Sequence, residues 1–159
     1  MIRFEVGDTI GQKDAATDLI YDEAGRSFLV RPTAAAEVYS VLVNDLEIHV
    51  DAQDRVVYVD GYAPREAWRA SVVLPPEARN GEIRVRKSID LKRGESTRLT
   101  LSPTEWPSHF NRHAGWMCVG TTDGALEAQA IMINAGTILV VEGEQLIAIW
   151  LRVTPGVAT

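Results

Sequence analysis

An α+β fold of mainly antiparallel strands, a curved sheet or sandwich with a C-terminal three-strand meander and one or two short helices, is what this sequence predicts. Three observations predict it. Residues 128–153 hold three apolar runs, 130–133, 138–141 and 146–151, divided by Asn134-Ala135-Gly136 and Glu142-Gly143-Glu144, two glycine-bearing turn signals of hairpin length. Leu46, Ile48 and Val50 alternate with Glu47, His49 and Asp51, the period of a strand with one wet face. After Pro32, Thr33 could cap a helix reaching Val43, with Ala34, Val38, Val41 and Leu42 at spacings of three and four.

Taken in order, residues 2–6 alternate as a strand and residues 7–14 are polar and loop-like. Residues 19–21 and 28–30 flank Asp22-Glu23-Ala24-Gly25-Arg26, a hairpin whose Gly25 suits the turn. The 33–43 segment is ambiguous, because Val38, Tyr39, Val41 and Val43 suit a strand as well as a helix. Residues 46–51 pair with 56–59 through the 51–54 loop, and a helical turn follows at 64–69. In the next alternating run, Ile83, Val85, Ile89 and Leu91 share a face with Lys87, and a lysine on the apolar side marks a sheet edge. The meander runs are rich in Ile, Leu and Val and hardly alternate, so both of their faces should be covered. The whole chain, 1–159, reads as one domain, with no repeat and no low-complexity tract.

Composition narrows the function classes. The chain is 46% hydrophobic and 24% charged, which is globular, and no apolar run reaches the roughly 18 residues of a membrane span. The first residues lack the basic and apolar regions of a signal peptide, and Cys118 has no second cysteine to pair with, so a cytoplasmic protein is expected. A net charge of −6 argues against nucleic acid. From Arg79 to Arg98, seven basic residues face three acidic ones, while Asp45, Glu47, Asp51, Asp54 and Asp60 have only Arg55 among them.

No Walker loop, GxGxxG, GxSxG or HExxH occurs, so no enzyme class is indicated and no cofactor is expected. The favored expectation is a small non-catalytic binding protein of the inhibitor or immunity type. Its acidic hairpin, Asp45, Glu47, Asp51, Asp54 and Asp60, would engage a basic protein partner, with Trp68 as an interface anchor. The alternative is a metal- or small-molecule-binding domain, or an enzyme, with its site built in the 103–116 loop. There His109 and His113, four apart, would share a helical face, with Glu105 as a further ligand or acid/base group and Trp106 covering the pocket. Cys118, in the apolar run Trp116-Met117-Cys118-Val119, reads as a buried thiol. A third expectation is a homodimer formed along an exposed strand edge.

Overall fold

The alternation that begins at Leu46 builds the middle of a six-stranded sheet, and the meander builds the middle of a seven-stranded one. Both are seen in a computed structural model of the protein, which describes residues 2–7, 18–31, 37–99, 106–123 and 127–154. Along the chain the strands are β1 (Ile2–Gly7), β2 (Asp18–Asp22), β3 (Ser27–Arg31), β4 (Glu37–Val43), β5 (Leu46–Asp51) and β6 (Val56–Tyr62). They continue with β7 (Arg69–Ala70), β8 (Arg79–Asn80), β9 (Glu82–Lys87), β10 (Ser96–Arg98) and β11 (Ser108–Asn111). The last four are β12 (Trp116–Gly120), β13 (Gln129–Asn134), β14 (Thr137–Glu142) and β15 (Gln145–Arg152). The six-stranded sheet runs β10-β4-β5-β6-β3-β2, the seven-stranded sheet runs β7-β11-β12-β15-β14-β13-β8, and β1 pairs with β9 in a separate ribbon.

The helical part of the expected fold is overturned. Among the described residues the helical content is a single 3-10 turn, Arg65–Ala67, so the molecule is a β protein and not α+β. Residues 37–43 form β4, hydrogen-bonded to β5 on one side and β10 on the other; residues 33–36 lie outside the described set. The physical reason lies in the residues themselves. Tyr39, Val41 and Val43 point into the core at period two, and β-branched side chains favor a pleated surface over a helix when partner strands are present. The predicted turn at 64–69 is present only as that one 3-10 turn.

The two large sheets share one apolar core, in which Val41, Ile48 and Val59 of the first meet Ile131, Leu139, Ile149 and Leu151 of the second. The seven-stranded sheet is covered on its other face as well, where Cys118, Ile138, Val140, Ala148 and Trp150 pack with Ala78 and Met132. That double burial is why the meander does not alternate. Its two hairpin glycines, Gly136 and Gly143, have φ of 85° and 63°. In the β2–β3 hairpin the left-handed residue is Arg26, with φ of 53°, while Gly25 leaves space for the Asp22 carboxylate.

The β1/β9 ribbon joins the sheets. Phe4, Ile83 and Val85 are fully buried in the shared core. The Phe4 N–H donates to the Glu144 carbonyl in the β14–β15 turn, and the Val85 N–H donates to the Asp54 carbonyl in the β5–β6 turn. Lys87 is mostly buried rather than a bare edge lysine: its ammonium lies 2.8 Å from Asp54 and over the Tyr39 ring.

Candidate functional site

Because β4, β5 and β6 are in antiparallel register, residues paired across them share a face. Val41, Ile48 and Val59 form one such row and point into the core. The adjacent rows, Ser40–His49–Tyr58 and Leu42–Glu47–Asp60, point the other way. This face gathers the chemistry. His49 is only 6% exposed and stacks on Tyr58, with ring centroids 4.3 Å apart. Its Nε2 lies 2.6 Å from Asp60 Oδ1 and 3.5 Å from Glu47 Oε2. The Glu37 carboxylate, carried past the register shift in β4, stands against Nδ1, yet Nδ1 is buried without an aligned hydrogen bond.

Burial by itself would lower the His49 pKa. The hydrogen bond to Asp60 and the charges of Asp60, Glu37 and Glu47 outweigh it, so the imidazole titrates above its ordinary value. Burial also pushes the Tyr58 hydroxyl up to about 12, helped by the charges of Glu37 and Asp60 and by its hydrogen bond to Glu37. Among the described residues, Glu37, Glu47 and Asp60 form no ion pair with a lysine or arginine. Three carboxylates thus converge on one imidazole, and even a charged ring leaves them in excess.

The remaining acidic residues of the predicted hairpin are placed differently. Asp51 is buried, and its carboxylate accepts hydrogen bonds from the Gln53 and Arg55 N–H groups and from Arg55 Nε at 2.8, 3.0 and 3.0 Å. Asp54 accepts from the Tyr39 hydroxyl at 2.7 Å and from Lys87 at 2.8 Å. Although burial opposes it, these hydrogen bonds and the charges of Lys87 and Arg86 hold the Asp54 carboxyl below its usual range. Both residues tie the β5–β6 turn to the molecule. Asp45 is exposed in the β4–β5 turn, where its carbonyl accepts the Tyr62 N–H.

Trp68 packs among Tyr21, Phe28 and Phe110, with the Arg65 guanidinium 5.1 Å from its ring. Trp106 is held by Asn44, whose Nδ2 donates to the Trp106 carbonyl at 2.9 Å. Asp45, Trp68 and Trp106 meet along a groove of about 270 Å³, although sequence alone places them in two separate candidate sites. A larger groove of about 590 Å³ also borders Trp106, with His109, Thr121 and Gln145 along it.

The proposed helical face for His109 and His113 does not form. His109 is on β11, whereas His113 is exposed in the following turn, its N–H bonded to Asn111 Oδ1. Glu105 lies outside the described residues. Cys118 is fully buried, and burial pushes its thiol up to about 12, far from a reactive thiolate. Sequence reasoning named His49 only as an available further ligand for the His109/His113 pair and did not single out Glu37. The available signal was Glu47-x-His49 on one strand, since residues two apart on a strand share a face. No family model, curated protein or solved structure matches the chain, so its functional reading rests on this geometry.

Proposed function

We propose that the protein is a small cytosolic, non-catalytic binding protein whose acidic face on β4, β5 and β6 engages a basic protein partner. The observation that carries this reading is the group Glu37, Glu47 and Asp60, gathered on one face with no lysine or arginine pairing among the described residues. Uncompensated charge raises encounter rates with a partner of opposite sign and gives binding a strong salt dependence. Asp51 and Asp54 drop out of the contact surface, since their carboxylates are engaged within the protein.

Fluorescence anisotropy with a labeled polylysine peptide, at low and high salt, tests the reading. The variant combining Glu37→Gln, Glu47→Gln and Asp60→Asn should bind on the order of tenfold more weakly and lose most of the salt dependence. Asp54→Asn should bind as the parent does. Equal binding by the triple variant would remove the acidic face from the function.

A second reading is favored by the groove beside Trp106, where His109, Thr121, Thr122 and Gln145 offer polar atoms next to the apolar Trp106, Pro107, Leu146 and Ile147. A small-molecule thermal-shift screen should then give hits that His109→Ala abolishes. Hits indifferent to that substitution would argue against it.

A further inference from the structure

One atom from each of His49, Asp60 and Glu47 can be chosen so that all three lie within 4.8 Å of one another, a spacing at which a single ion can reach them. Acidic side chains alone would not argue for an ion, but the histidine adds two features. Its ring is nine-tenths buried and stacked on Tyr58, so the nitrogen donor is fixed in place and does not swing in solvent. Its second nitrogen, Nδ1, is buried without an aligned hydrogen bond, while the Glu37 carboxylate stands against it. Metal-bound histidines donate the N–H that faces away from the ion to a carboxylate, which fixes the tautomer. Glu37 holds that position.

We propose that Glu47, His49 and Asp60 bind a divalent transition-metal ion that accepts nitrogen and oxygen ligands, of the Zn²⁺ or Mn²⁺ class, with Glu37 as the positioning residue for the imidazole. The nitrogen donor disfavors Ca²⁺ and Mg²⁺, which take oxygen. Ligand bonds of about 2.0–2.2 Å place neighboring donors about 3.3 Å apart. Glu47 already stands at 3.5 Å from Nε2, and Asp60, at 2.6 Å, has to open slightly. Nε2 lies at hydrogen-bond distance from Asp60, so the proton between them leaves to solvent when the ion binds; the proton on Nδ1 facing Glu37 stays, and the Nε2 lone pair takes the ion. Three protein ligands leave the remaining positions to water or to a group from a partner.

Isothermal titration of Zn²⁺, and separately of Mn²⁺, into the full chain after EDTA treatment and desalting tests the site. One equivalent of at least one ion should bind. His49→Gln and Asp60→Asn should each weaken binding, and Glu37→Gln should do so by on the order of 10–100-fold. The double variant His109→Ala/His113→Ala should bind as the parent does. If the buried substitutions prevent folding, Glu47→Gln, at a half-exposed carboxylate, should still weaken binding, and the Co²⁺ form of the parent should show no thiolate charge-transfer band. Absence of stoichiometric binding by either ion, binding that survives Glu47→Gln and His49→Gln, or binding that disappears with His109 and His113 would each overturn the proposal. The titration uses the chain without any partner, so its outcome and that of the polylysine experiment are separately readable.

Discussion

Asp51 and Asp54 show how two residues of the same type, three apart, come to serve the fold rather than the surface. The Asp51 carboxylate accepts two backbone N–H groups and the Arg55 side chain at a buried position. Asp51→Ala leaves those N–H groups without a partner, so a loss of about 2–3 kcal/mol is expected in urea denaturation. Asp54 is more exposed, and its pair with Lys87 is discounted by solvent to about 1 kcal/mol or less. Because its folded pKa is depressed, that contribution is present above the unfolded carboxyl pKa and is lost as pH falls through the folded value. The stability gap between the parent and Asp54→Asn should therefore be present at pH 7 and shrink progressively below about pH 4. A gap that widened on acidification would contradict the assignment. None of this was readable from charge counts, which treat every aspartate of the hairpin alike.

At the level of elements, most strands were legible because their apolar residues repeat at period two or, in the meander, are buried on both faces. The 37–43 segment was not, since Val38, Val41 and Leu42 fit a helical spacing while Tyr39, Val41 and Val43 fit a strand. Pairing with β5 and β10 decided between them, and partners distant in sequence leave no mark within the segment. The candidate site was hidden for the same reason: Glu37, His49 and Asp60 come from three strands, and only their register brings them together. Gly120, at the end of β12, is another constraint set by neighbors. With φ of +112°, a Cβ there would lie 2.4 Å from the Ile147 carbonyl oxygen and 3.1 Å from the Trp106 ring. Gly120→Ala should cost about 1–3 kcal/mol and change the environment of Trp106, measured by urea midpoint and tryptophan fluorescence. An unchanged midpoint would show that β12 and β15 separate easily.

For the whole molecule, the basic stretch that stands out in the sequence is largely matched within the fold. Arg86 pairs with Glu5, Lys87 with Asp54, Arg93 bonds the Glu37 carbonyl and Arg98 the Asn44 carbonyl. The seven-stranded sheet ends in the two-residue strands β7 and β8, and the six-stranded sheet ends in three-residue β10 and five-residue β2. Short edges offer little for strand addition, so light scattering should report the 17.5 kDa mass of one chain. A doubled mass would direct attention to β2. The ribbon of β1 and β9 also bears on how the chain reaches this state. Ile2 pairs with Lys87, and the same ribbon is hydrogen-bonded to turns around Asp54 and Glu144, so its contacts close very long loops. Such loops cost entropy before any contact repays it, which places refolding on the slow side, in milliseconds to seconds. Since the ribbon packs against both sheets at once, neither can melt without exposing Phe4 and Val85, and heating should give one cooperative transition instead of two.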